Sequence, residues 1–152
     1  MTKTRWLTAD EERAWRAINR LLVALPARLG RDLAAQGLST PDYEVLSTLS
    51  EKADGRWPLK EMAAKMEWSR SRLSRHVSRM ADRGLVEKQA DASDARGCLL
   101  RLSESGRSAL SRVAPHHLHS VRARLIDHLT PAELASLERI SNRIADLPAG
   151  LE

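Results

Sequence analysis

The sequence predicts a mainly α-helical chain with one small β-hairpin, and three observations predict it. Apolar residues recur three and four positions apart through most of the length, the period of a helix with one buried face. Thr, Ser and Pro stand where helices begin. Only one pair of short β-like runs, 85–89 and 98–102, flanks a polar turn containing Gly and Asp.

Taken in order, Thr8 and Glu11 form a capping box, and a long helix follows to Gly37. Trp15, Ile18, Leu21, Leu22, Leu25, Leu29 and Leu33 carry its stripe. Pro26 lies inside it and predicts a kink. The stripe is wider than one small domain needs, which points to a partner chain. Thr40-Pro41 predicts an N-cap and first-turn proline for a second helix ending near Lys52, with Val45, Leu46 and Leu49 buried. Trp57-Pro58-Leu59 is short and extended, because the residue before proline avoids the α region. A helix of two turns, 60–66, buries Leu59, Met62, Ala63 and Met66 on one face.

The next helix, 69–83, is the chemically loaded one. Leu73, Val77 and Met80 make its inner stripe, Ser69 caps it, and Gly84 suits a left-handed exit. Residues 69–84 hold five arginines and one aspartate, a net +4 in a chain whose total is +5. Two short helices with a tight link, the second basic outside, are a helix-turn-helix pattern. The hairpin at 85–102 then reads as a wing. A fifth helix opens at Ser103, with Pro115 as a second kink and an apolar stripe predicted to run through Leu125 and Leu129. Thr130-Pro131-Ala132-Glu133 caps the last helix, whose Leu134, Leu137, Ile140, Ile144 and Leu147 form a packing seam.

The totals narrow the function. The 152 residues, 42% hydrophobic and 30% charged, suit one soluble domain with appended helices. The single cysteine, Cys98, allows no internal disulfide, and neither a membrane-length apolar run nor a signal peptide is present, so a cytoplasmic protein is expected. No phosphate-cradling glycine loop, nucleophile elbow or metal quartet occurs, which argues against an enzyme. His116 and His119 share a helix face, but two ligands do not fill a zinc site, so no metal is expected.

The stretch from Trp68 to Gly106 resembles the MarR family of bacterial transcriptional regulators. The likeness rests on the Ser-rich recognition helix, the exit Arg83-Gly84-Leu85-Val86, the wing tip Asp94-Ala95-Arg96, and Leu102-Ser103-Glu104-Ser105-Gly106, with Ser103 in place of the usual threonine. The resemblance implies a winged helix-turn-helix at 40–102 and a dimerisation region at 8–38 and 103–148. It implies a homodimer on a pseudo-palindromic operator in double-stranded DNA, without cofactor. It also implies a repressor relieved by a small apolar or phenolic effector, with Trp15 and Tyr43 as candidate pocket residues. The alternative is a winged-helix adaptor that binds proteins and reads no DNA sequence. Oxidant-sensing relatives use a cysteine in the first helix. This chain has none there, and Cys98 reads as a small, half-buried strand residue.

The expected DNA-binding set is Ser69, Arg70, Ser71, Arg72, Ser74, Arg75, Ser78, Arg79, Asp94 and Arg96. Ser71, Ser74, Arg75 and Ser78 form the groove face, and Arg75 is the base reader, since a guanidinium can grip guanine O6 and N7 together. Arg70 suits a backbone phosphate, while Arg72 and Arg79 flank the face. Arg96 is expected to enter the minor groove, steadied by Asp94. Each has a plainer alternative: arginine-rich faces are often merely solvated, and a wing-tip pair can be an ordinary surface ion pair.

Overall fold

The helices begin where capping side chains put them. In the computed structural model, which describes residues 4–92, 94 and 97–148, Thr8 starts α1 (Ala9–Ala35). Its hydroxyl accepts from the Glu11 amide, and the Glu11 carboxylate accepts from the Thr8 amide at 2.7 Å. Thr130 and Glu133 repeat the arrangement at the start of the last helix, Pro131–Ala145. The second helix, α2 (Thr40–Ser50), corrects the expected cap: Ser39, not Thr40, holds that position. Asp42 decides it, because its carboxylate reaches back to the Ser39 amide at 3.1 Å and closes a capping box one residue earlier.

A three-stranded antiparallel sheet joins the helices, with strands β1 (Arg56–Pro58), β2 (Val86–Ala90) and β3 (Cys98–Leu102) in the order β1-β3-β2. The expected hairpin is β2–β3. The extended Trp57-Pro58 segment adds a third strand, setting Trp57 opposite Leu100. Pro58 is tolerated there because β1 is an edge strand. Between them lie α3 (Leu59–Lys65) and α4 (Arg70–Asp82), and α5 (Glu104–Arg124) follows the wing. Gly84, at φ +74°, supplies the left-handed residue that turns the chain from α4 into β2.

The chain divides into two compact units, one ending at His117 and the other beginning at Leu118. In the first, Val45, Leu46 and Leu49 of α2 pack with Met62 of α3, Leu73, Val77 and Met80 of α4, Leu100 of β3 and Val113 of α5, all without solvent exposure. Here the inward stripes read from the sequence meet. At Gly106 in the first turn of α5, a Cβ would lie 2.0 Å from the Leu85 carbonyl oxygen, so only glycine lets that turn approach the base of the wing.

Pro26 and Pro115 sit inside α1 and α5 respectively, as the sequence places them. Two further expectations change. The fifth helix does not carry its stripe to Leu129: it ends at Arg124, and a 3-10 turn at Ile126–His128 follows. There His128 Nε2 lies 2.9 Å from the Ala123 carbonyl oxygen, occupying an acceptor that another helical turn would have used. Trp15, read at helical spacing, is not core; it is half exposed on α1.

Each unit also presents an apolar helix face to solvent. In the first, Trp15, Ile18, Leu21 and Leu22 of α1 are open, Leu22 at 63%. In the second, Ile140, Ile144 and Leu147 are open along the last helix and after it, Ile144 at 56%.

Candidate nucleic-acid interface

The basic helix owes its orientation to a strict division of faces. Ser69 caps it by accepting from the Arg72 amide at 3.1 Å, and Leu73, Val77 and Met80 are fully buried. The opposite side is thereby fixed outward. Ser71 and Arg75 are exposed there, and Arg70 is exposed in the first turn, on the side nearer the buried stripe. No side-chain hydrogen bond or ion pair joins any of the three to another described residue, so their side-chain donors are available to a ligand.

The flanking arginines are held. The Arg72 guanidinium lies 3.7 Å from the centre of the Trp68 ring, a cation–π contact. Arg79 Nη2 donates to His76 Nδ1 at 3.1 Å. Ser74 and Ser78 are half-buried rather than open. The Ser78 hydroxyl donates to the Ser74 carbonyl at 2.9 Å and accepts from Lys88 Nζ of β2 at 3.0 Å. Ser78 therefore fastens the basic helix to the wing. Asp94 is exposed near the wing tip, and its carbonyl accepts from the Gly97 amide at 2.8 Å. Arg96 lies outside the described residues.

Asp42 of α2 was not singled out from the sequence, yet it anchors the helix-turn-helix. It is 3% exposed. One carboxylate oxygen faces His76 Nε2 at 3.0 Å; the other accepts from Arg83 at 2.9 Å and from the Ser39 amide. Burial alone would raise its pKa, but the hydrogen bonds from Arg83 and Ser39 outweigh burial and hold it below the ordinary carboxylate value. The signals were present: Ser39-x-x-Asp42 is a capping box, and His76 stands three residues after Leu73, beside the buried stripe.

A second feature is a hollow of about 550 Å³ bounded by α1, α2, the segment around Met66 and Trp68, and α5. Leu25, Leu29, Leu33 and Met66 give it apolar walls, and Tyr43 and His117 line it together, their ring centres 4.4 Å apart. Nδ1 of His117 is buried with no hydrogen-bond partner among the described residues, and burial lowers the His117 pKa and raises that of Tyr43. Tyr43 lines this hollow, and Trp15 is not among its lining residues. Among the described residues no cluster of His, Cys, Asp and Glu could hold a metal ion, and no helix is long and apolar enough to cross a membrane.

A sequence profile of the MarR family matches residues 36–97. The whole chain is similar to AbsC, a MarR family transcriptional regulator from Streptomyces coelicolor, at 39% identity and TM-score 0.91, covering 94% of this chain and 97% of that one. It is similar to Sco3205, a MarR family transcriptional regulator from the same organism solved in complex with DNA, at 34% identity and TM-score 0.93, covering 98% and 95%. A mutant MarR from E. coli complexed with operator DNA shares the fold, with 21% identity, TM-score 0.80 and coverage of 95% and 100%. No curated protein matches the chain.

Proposed function

The chain belongs to the MarR family of transcriptional regulators, and on that premise we propose that it is a repressor that binds a pseudo-palindromic operator as a homodimer. The observation that carries the reading is the outer face of α4: Ser71 and Arg75 exposed opposite a fully buried stripe, with Arg70 exposed at the helix start. In this reading Arg75 reads a base edge, and Ser71 and Ser69 serve bases or phosphates at the helix start. Arg70, Arg72 and Arg79 hold the backbone, the half-buried Ser74 lies beside the groove face, and Ser78, bonded to Lys88, keeps the helix against the wing. Arg96, with Asp94 beside it in sequence, enters the minor groove. Similarity to a protein solved with DNA supports this assignment.

The winged helix-turn-helix is assigned to 40–102, and dimerisation to 8–38 and 103–148. The support for a second copy is the pair of open apolar faces, each wide enough to need covering. A dimer of this kind sets its two recognition helices about one DNA turn apart, ~34–36 Å. The hollow beside Tyr43 and His117 is the proposed seat of an apolar or phenolic effector, because its walls are largely apolar and carry the paired rings of Tyr43 and His117. An effector that prefers a conformer with the wrong half-site spacing would release the operator.

Footprinting on the DNA upstream of its own gene tests the reading. A protected inverted repeat, with affinity falling steeply as salt rises, supports it. Arg96→Ala is expected to leave a folded dimer with operator affinity cut at least tenfold, roughly the value of one good contact. Absence of sequence preference, with weak salt dependence, would instead favour a protein-binding adaptor.

A further inference from the structure

Next to the open face of α4 lies a smaller notch of about 230 Å³, lined by Pro41, Trp68, Arg72, Arg75, His76 and Arg79. Three guanidinium groups and no acidic side chain line it. The nearest buried carboxylate, Asp42, is already answered by Arg83, His76 and the Ser39 amide. The cationic charge of the notch is therefore left for an external anion.

The chemistry of the contacts fixes the protonation of His76. An ionised carboxylate only accepts hydrogen bonds, so Nε2, 3.0 Å from Asp42, carries the proton. A guanidinium only donates, so Nδ1, 3.1 Å from Arg79, is the bare nitrogen. A neutral imidazole in one tautomer thus passes the fixed position of a buried carboxylate on α2 out to an arginine on the surface. The same imidazole meets the Trp68 ring edge-on at 5.8 Å, and Trp68 in turn carries Arg72 on its face. The charged groups around His76 are Asp42 and Arg83 on one side and Arg72 and Arg79 on the other.

We propose that His76 is a positioning residue for DNA binding: with Trp68 it holds Arg79 and Arg72 at the rim of this notch, which receives a backbone phosphate of the duplex. This rests on the DNA-binding reading above and deepens it. A guanidinium held in place loses less rotamer freedom on binding than a free one, so the contact is stronger than an exposed arginine would give. A phosphate is the same in every sequence, so the notch adds affinity and not sequence preference.

The test is a double-mutant cycle of His76→Phe and Arg79→Ala in the full-length protein, with binding measured on an operator duplex and on a scrambled duplex over a range of salt. Arg79→Ala is expected to weaken both complexes by a similar factor, roughly tenfold, and to flatten the salt dependence by about one phosphate. His76→Phe keeps an aromatic ring but has no acceptor; in that background Arg79→Ala should cost only about two- to threefold, the pair being coupled. His76→Gln, which carries both a donor and an acceptor, should restore most of the loss, as bulk or charge alone would not. Circular dichroism and the melting temperature check the fold of each variant, and should His76→Phe not fold, the His76→Gln and Arg79→Ala pair decides. Equal factors for Arg79→Ala in both backgrounds, or an unchanged salt slope, would overturn the proposal while leaving wild-type DNA binding intact. A wild-type protein that ignores every duplex would sink this proposal and the function it rests on together.

Discussion

Arg75 and His117 illustrate how much one side chain can be asked to do. Arg75 is exposed on α4 and has no partner among the described residues, so its donors are not committed within the protein. Arg75→Ala is expected to lower operator affinity by about 1–3 kcal/mol and to erase the preference at one base pair, leaving scrambled DNA nearly unaffected; competition binding against single-base operator variants reads this directly. His117 is perturbed by burial, which lowers its pKa from 6.5. The unfolded chain takes up a proton as pH falls through 6.5 while the folded chain resists it. Stability should therefore decline as pH drops below that value, until the folded protein is protonated as well. Melting temperatures measured from about pH 7.5 to 5.5 should fall less in His117→Phe than in wild type. The outward side of α4 was legible because a 3.6-residue period fixes it. What each arginine leans on was not, since Trp68 and His76 act through ring geometry, and Lys88 reaches Ser78 from a separate strand.

Elements were legible where their signals are local. The boxes at Thr8 and Thr130 use residues three apart, and both helices start where the sequence says. At α2 two cap-forming residues stand side by side, and only the reach of Asp42 chooses Ser39. The end of α5 was hidden because its apolar spacing continues through Leu125 and Leu129, while a contact from His128 has no periodicity to betray it. The pairing of β1 with β3 joins residues more than forty apart in the sequence, which no window along the chain can see. Among the described glycines, Gly106 has the least room for a side chain. Gly106→Ala would drive a methyl group into the Leu85 carbonyl, and the first turn of α5 would have to leave the wing. A loss of more than about 2 kcal/mol in urea unfolding is expected, with DNA binding falling alongside. Wild-type stability in that variant would mean the turn does not pack as described.

At the scale of the molecule, its open apolar surface sets the main expectation. Leu22 is 63% exposed on α1 in a row with Trp15 and Ile18, and a charge there costs a monomer almost nothing. Leu22→Glu should therefore keep its helix content by circular dichroism. In sedimentation it should shift from dimer toward monomer, with self-association weakened at least ~30-fold. Operator affinity should fall further than affinity for a single half-site. A variant that sediments as wild type would remove α1 from the interface.

Trp68 has a position whose effect reaches past its own contacts. The same residue borders the hollow beside Tyr43 and His117 and the arginine notch on α4. It works as a party wall between two rooms, one suited to oily guests and one to anions. If the proposed effector fills the first, it meets the same indole that carries Arg72 on its face and His76 by its edge. On the proposed reading, the seat of the small molecule and the seat of the phosphate are then separated by a single shared side chain.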